Sequence, residues 1–413
     1  MYLDRLPSRV RLLILGGGIH GVGVLHDVVS RGWKDVHLIE KFELGHGSSR
    51  RSTKLLQGGF SQLKSFSNYP LIAESLRERK KIMDLAPDLS YPVELIIPLR
   101  QDSSLPGSFV RSGLIIYDFL AGSGRLARYR SYSLTQAQEL APCLNIQKLN
   151  KVYSFWEILT DDLALTRRVA RSAHMLGAGI TEDCEVVSVA PDQDGWLVRV
   201  RQNNVEADIS ALYVINALGQ HSHDLLASSD IIPEVQGIKA NGYHILLPDI
   251  GLKAGLLMES PVDRRAVLAL PWKGMTLIGA GEVNSKKSTT KDEQIDYLLH
   301  LVSSYFSVSF KRSDILGSFV GTRWNALEGN HQISAQRRNV VISEKISQRG
   351  MMMGIYGGGL TTYRLTAEKI GNRVTHHFGE FLPSQTSNID YWAVPDSSEI
   401  KEEHPSEVIN RYL

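Results

Sequence analysis

Cysteine is scarce in this 413-residue chain: Cys143 and Cys184 are the only two, far apart and outside any C-x-x-C pattern. Neither a disulfide framework nor a thiolate metal cage is suggested, no metal site is expected, and a reducing cytoplasm is the expected compartment. Long apolar runs are also missing. The most apolar early stretch, residues 12–29, is broken by glycines and by His20, His26 and Asp27, which lipid would not tolerate. Residues 1–11 carry Asp4, Arg5, Arg9 and Arg11 and lack the apolar core of an export signal. No transmembrane helix is expected, while peripheral contact with the inner membrane face stays open. Nor is there a block of one charge sign. The 46 basic and 44 acidic residues are mixed along the chain and leave a formal charge of +2, so no nucleic-acid partner is expected.

What is present is ordinary globular material, 43% apolar and 22% charged, long enough for two or three domains or one large two-lobed unit. Its first informative feature is Arg11-Leu12-Leu13-Ile14-Leu15, a short apolar run that reads as a buried parallel strand. Gly16-Gly17-Gly18-Ile19-His20-Gly21 follows at once in the pattern G-x-G-x-x-G, and a helical pattern then continues to a stop at Gly32. The three glycines serve different ends. Gly16 makes the tight turn, Gly18 lets backbone approach a pyrophosphate, and Gly21 lets helix and strand pack closely. The helix N-terminus then faces the anion. A second strand, Asp35-Val36-His37-Leu38-Ile39-Glu40, ends on an acid placed to accept hydrogen bonds from ribose hydroxyls.

This unit alone does not separate FAD from NAD. The next segment, Gly45-His46-Gly47-Ser48-Ser49-Arg50-Arg51-Ser52-Thr53-Lys54, favours FAD, because a polar loop with three cations can donate to phosphate oxygens and reach the flavin end. Ser48, Ser49, Ser52, Thr53 and Lys54 are its candidate cofactor residues. Residues 185–189 and 196–200 read as a hairpin across Asp192-Gln193-Asp194-Gly195, with Val186 counted among the cofactor contacts. Val214-Ile215-Asn216-Ala217 is a buried strand ending at Gly219, where backbone could lie against a nucleotide. Late in the chain, residues 351–356 read as a strand and residues 360–370 as a helix, with Gly357-Gly358-Gly359 between them. This second strand-to-helix turn, with Gly358, Gly359, Leu360, Thr361 and Thr362, suits the flavin N1 and C2 carbonyl, where negative charge gathers on reduction.

With these blocks in hand, the chain resembles the FAD-dependent glycerol-3-phosphate dehydrogenases, members of the wider D-amino-acid-oxidase-like flavoprotein group. Ser49-Arg50-Arg51-Ser52-Thr53-Lys54-Leu55-Leu56-Gln57-Gly58-Gly59 is similar to that family's serine-rich loop ending in Lys-Leu-Ile-His-Gly-Gly. Gly113-Leu114-Ile115-Ile116-Tyr117-Asp118-Phe119-Leu120-Ala121-Gly122, Asp161-Asp162-Leu163-Ala164-Leu165-Thr166, residues 214–219, residues 271–279 and Gly357-Gly358-Gly359-Leu360-Thr361-Thr362-Tyr363-Arg364 resemble further family blocks, in order, across residues 10–375. The resemblance implies an α/β fold in which a Rossmann-type FAD-binding domain carries an inserted substrate domain built on a mixed or antiparallel sheet. The expected cofactor domain is discontinuous, residues 8–75, 150–225 and 315–375, with residues 76–149 and 226–314 forming the substrate domain. Residues 376–413 are expected as a polar tail in place of the helical domain that respiratory members carry.

The implied chemistry is FAD-dependent hydride transfer from a hydroxylated small molecule, glycerol 3-phosphate or a related polyol or sugar derivative. The electrons would pass on to a quinone, oxygen or a protein. His244, in a stretch similar to the family's Gly-Ser-His, is the candidate base, since imidazole titrates near neutral pH; a hydrogen-bonded strand histidine is the alternative. Arg323 and Arg337 match family arginines, and a guanidinium can grip phosphate or carboxylate in a bidentate fork. There are also departures. Gly359 stands where the family has Lys, Phe60-Ser61-Gln62 where it has Leu-Arg-Tyr, and Gln57 where it has His; Arg323-Trp324-Asn325 replaces Arg-Pro-Leu and Ala280-Gly281-Glu282 replaces Thr-Thr-Asp. Two cations are lost, and a phosphate dianion would forgo partners each worth about 1.5 to 3 kcal/mol. An amine or amino-acid oxidase and a non-catalytic flavin-binding subunit are the competing readings.

Overall fold

The structure, a computed structural model, describes residues 4–233, 235–284, 290–326, 340–347, 350–389, 391 and 405–412. Two sheets organise the described chain. The first has eight strands, and its main path runs Val340–Ile346, Met351–Gly357, Val205–Asn216, Arg9–Leu15, Val36–Ile39, Gly179–Thr181. Its pairings are parallel from Met351–Gly357 through to Gly179–Thr181. Leu12, Leu13, Ile14 and Leu15 have no exposed surface, because both faces of this sheet are covered.

Helices Ile19–Ser30, Asp162–Met175 and Tyr363–His377 pack on the face that holds Leu12 and Ile14. The opposite face, with Leu13 and Leu15, is closed by strands Cys184–Asp192 and Gly195–Gln202 and by Leu225 and Leu226 of a short helix. Leu15 is level with Ile39 on one side and with Asn216 on the other, so the turns that follow these strands open on one edge of the sheet. In an open parallel sheet that carboxyl edge is where ligands bind.

The second sheet has nine strands and a main path of Gly317–Ala326, Gly237–Pro248, Met275–Asn284, Ala266–Trp272, Gly255–Glu259, Ser90–Arg100, Leu149–Thr160, Leu55–Leu56. Among the described residues its pairings are antiparallel except where Gly255–Glu259 meets Ser90–Arg100. Strands Leu55–Leu56 and Gly317–Ala326, and all of Leu149–Thr160 but its first residue, lie within the spans expected for the cofactor domain and pair in this sheet. One face packs on helices Tyr69–Leu85 and Gly107–Ala121, the other on Lys291–Tyr305. The architecture is the expected α/β pair of a parallel nucleotide sheet and a mixed second sheet.

Two local departures from expectation have simple causes. The helix expected from Leu360 begins as a 3-10 turn, Leu360–Thr362, and becomes α-helical at Tyr363. The expected polar tail contains the helix Pro405–Tyr412, with Val408 and Tyr412 buried against the second sheet. Their spacing of four puts both on one side of a helix, a pattern too brief to stand out among polar neighbours. Among the described residues no helix is long and apolar enough to cross a membrane, and no cluster of His, Cys, Asp or Glu could hold a metal ion.

Candidate active site

The first glycine turn is built on steric necessity. Gly16 has φ of +104°, and a Cβ there would lie 2.8 Å from the Ala217 carbonyl oxygen. A Cβ on Gly21 would come within 1.9 Å of the Gly16 carbonyl oxygen, so only glycine allows the helix this close to the strand. Helix Ile19–Ser30 starts at Gly18 without a capping side chain. Instead the Ile19 amide donates to Ser49 Oγ at 2.9 Å, which brings the serine loop onto the helix N-terminus. Glu40 accepts from the Gly17 amide at 2.6 Å and the Phe42 amide at 3.0 Å. Burial raises its pKa against the pull of these amides.

The other predicted cofactor residues divide into two groups. Gly219 follows the same edge with φ of +59°, and Val186 lies on the strand that begins where the Cys184 amide bonds the Glu40 carbonyl at 2.8 Å. Gly358, with φ of +80°, sits against His20, and Thr361 Oγ1 accepts from the Gln57 amide at 2.8 Å. Ser48 Oγ donates to the Thr322 carbonyl at 2.5 Å, tying the loop to strand Gly317–Ala326. These residues gather at the carboxyl edge of the first sheet.

Lys54 and Ser52 turn elsewhere. Lys54 Nζ is fully buried and donates to Asp162 Oδ1 at 2.8 Å, Asp162 Oδ2 at 2.9 Å and the Arg50 carbonyl at 2.6 Å. Ser52 Oγ donates to Asp162 at 2.6 Å, and its amide bonds the same carboxylate at 3.1 Å. Burial lowers the Lys54 pKa and raises that of Asp162, each opposed by the partner's charge. Both side chains are thus engaged within the protein, tying the loop to helix Asp162–Met175. Thr53 Oγ1 accepts a long 3.4 Å bond from Gln57 Nε2.

His244 lies on strand Gly237–Pro248 directly opposite Phe319, whose ring stacks on it at 4.5 Å and 13°. It is 3% exposed, and among the described residues its ring nitrogens have no side-chain partner, only the Gly242 backbone, which favours the protonated ring. Burial, helped by the Lys54 charge, pushes its pKa down to about 3. Arg323 pairs with Ala240 in the same ladder, so alternation puts it on the His244 and Phe319 side of the sheet. Arg337 lies outside the described residues.

The decisive comparison matches residues 11–364 to the family described as DAO, FAD dependent oxidoreductase. The chain belongs to that family. This flavoprotein is 30% identical to D-erythritol 1-phosphate dehydrogenase of Brucella abortus (strain 2308) over 382 residues, 90% of this chain and 75% of that one. It is 31% identical to the mitochondrial glycerol-3-phosphate dehydrogenase of Rattus norvegicus over 409 residues, 92% of this chain and 55% of that one. It therefore spans about half the length of the mitochondrial relative. Its fold is similar to glycerol-3-phosphate dehydrogenase from Bacillus halodurans complexed with FAD, with a TM-score of 0.73, 22% identity, and 98% of this chain and 71% of that one covered. It is also similar to L-alpha-glycerophosphate oxidase from Mycoplasma pneumoniae with FAD bound, with a TM-score of 0.68, 16% identity, and 93% and 98% covered.

The residues of the flavoprotein fit its cofactor. A Cβ on Gly18 would meet only Ser49 Oγ, and one on Gly219 or Gly359 would meet nothing within 4 Å, so these backbone segments are open to a ligand. The helix amides suit a pyrophosphate and Glu40 suits ribose hydroxyls. Sequence reasoning missed a support for this site. Glu157 accepts from the Gly58 amide at 3.2 and 3.1 Å, from Tyr117 Oη at 2.6 Å and from Arg79, all in the interior. A lone acid inside the apolar run of residues 155–159 was the available signal. Arg364, the last residue of the late family block, also turns out to be supportive: it grips Glu78 with bonds of 2.8 and 2.7 Å and joins helices Tyr69–Leu85 and Tyr363–His377.

Proposed function

We propose that this flavoprotein oxidises an alcohol group of a small polyol or polyol derivative to a carbonyl, as an FAD-dependent dehydrogenase or oxidase. The observation that carries this reading is His244: a buried imidazole with no side-chain hydrogen-bond partner, held only by the Gly242 backbone, on the same sheet face as Arg323. Buried polar atoms without partners are rare and call for a missing one. A substrate hydroxyl is such a partner. Burial leaves His244 neutral at pH 7 with a lone pair available for that hydroxyl, although a pKa near 3 lies well below the near-neutral value expected from the sequence and makes the ring a weaker base.

Bound FAD supplies the hydride acceptor. As the substrate carbon gives up its hydride, His244 takes the hydroxyl proton and the C=O bond forms; the imidazolium passes the proton to water that enters when the product leaves. Phe319 fixes the ring plane by stacking, and the Asp162 carboxylate offsets the Lys54 ammonium that would otherwise oppose the transfer. Arg323 offers a guanidinium to an oxygen of the substrate. The names of the relatives, D-erythritol 1-phosphate dehydrogenase and glycerol-3-phosphate dehydrogenase, support a polyol-type substrate.

The test is anaerobic mixing of the purified holoprotein with polyols, polyol phosphates and amino acids while the flavin absorbance is followed. Bleaching by an alcohol supports the reading. Bleaching by amino acids alone moves the protein to the amine oxidases, and retained colour with every compound makes it a binding subunit.

A further inference from the structure

Where residues 57–59 meet the second glycine turn, under helix Tyr69–Leu85, a cavity is lined by Gln57, Gln62, Ser75, Gly359, Thr361 and Thr362, with Leu71 and Gly59 completing it. Every polar group in this lining is neutral: two carboxamides and three hydroxyls. The buried cations on its flanking elements are already paired. Arg79, on the helix that carries Leu71 and Ser75, is bonded to Glu157, and Arg364, two residues past Thr362, is gripped by Glu78 and by Glu368 at 2.9 Å. Among the described residues, no charged side chain lines the cavity.

Such a lining discriminates by charge. Amides and hydroxyls both donate and accept, so positions left beside the Gln57–Thr361 and Gln57–Thr53 bonds match neutral hydroxyl groups. A phosphate dianion placed among them would lose its hydration without gaining a countercharge. The position where a cation would sit is identifiable. Gly359 lines the cavity in an extended conformation, φ −155°, and a Cβ there would meet nothing within 4 Å, so a long basic side chain would fit and is not used. Gln62 is buried at the same cavity, next to Ser61, where the resembled motif carries arginine.

We propose that this cavity receives an uncharged, hydroxyl-bearing end of the substrate, so that the protein oxidises an unphosphorylated polyol in preference to a polyol phosphate. This rests on the alcohol-oxidising reading above. The test measures half-saturation of anaerobic flavin bleaching in the full holoprotein with glycerol, a four-carbon alditol and glycerol 3-phosphate. The expected result is half-saturation by a neutral polyol at a concentration about tenfold or more below that of glycerol 3-phosphate. Gln62→Arg should tighten glycerol 3-phosphate about tenfold while FAD content stays unchanged. Tighter saturation of the unaltered protein by glycerol 3-phosphate, or an FAD-loaded Gln62→Arg variant with no gain for it, overturns the inference and leaves alcohol oxidation standing. Bleaching by amino acids and by no alcohol overturns both.

Discussion

Gly358 of the second glycine turn lies against the His20 imidazole of the first: a Cβ on Gly358 would be 2.8 Å from His20 Nε2 and 2.6 Å from Val340 Cγ2. Segments more than 330 residues apart in the chain thus form one surface at the edge of the parallel sheet. Gly358→Ala should weaken FAD binding about tenfold or more, because φ of +80° strains any side chain and the methyl group would push the turns apart. Adding His20→Ala should recover only part of the loss, since the backbone strain remains. Flavin fluorescence titration of the apoprotein measures both, and full recovery in the double variant would show that contact alone matters.

His244→Ala should slow anaerobic flavin reduction by roughly 100- to 10,000-fold, the usual worth of a positioned base, while FAD content stays near that of the unaltered protein. Stopped-flow bleaching and the absorbance ratio of flavin to protein give the two numbers. Equal reduction rates would remove His244 from the chemistry.

Asp162→Asn leaves the Lys54 ammonium buried beside a neutral amide and should cost about 3–5 kcal/mol of stability. Replacing both members, Lys54→Met with Asp162→Leu, should recover much of it, because no buried charge is then left unpaired. Urea unfolding of the holoprotein is the measurement. A double variant as weak as the single one would mean that the ion pair has a role beyond mutual neutralisation.

Stability should fall on acidification. Burial holds His244 near 3 and His20, His26 and His37 near 4, all below the ordinary 6.5. Between these values the unfolded chain binds protons that the folded chain does not, so these contributions are complete above pH 6.5 and are lost as pH drops towards 4. Each histidine adds a slope of roughly 1.4 kcal/mol per pH unit within its window. His26→Gln, which keeps a side chain able to bond Ser172, should flatten the curve by about one such increment. Denaturation profiles at a series of pH values report it, and an unchanged slope would contradict the buried neutral state of His26.

The first sheet was legible in outline because its signals are local, while the second entered through the family resemblance. Leu12 to Leu15 could only be a strand covered on both faces, and Gly16, Gly18 and Gly21 could only follow it as a tight turn, since the steric demands lie within a few residues. Glu40 was legible for the same reason, being the acid at the end of the next strand. The roles of Lys54, Glu157 and Arg364 were not. The loop that ends at Lys54 was read as a source of donors to phosphate; that Lys54 Nζ bonds Asp162, 108 residues on, has no signal in the sequence.

By itself, then, the sequence determined the two glycine turns, which rest on chemistry between near neighbours, and the family, which rests on the order of short blocks along residues 11–364. The tertiary structure alone decided which charges neutralise one another, how completely His244 is sealed, and that Gln57, Gln62 and Gly359 share one uncharged cavity. Such facts depend on which distant side chains are brought within about 3 Å, the range over which hydrogen bonds and desolvation act. No spacing along the chain encodes that meeting.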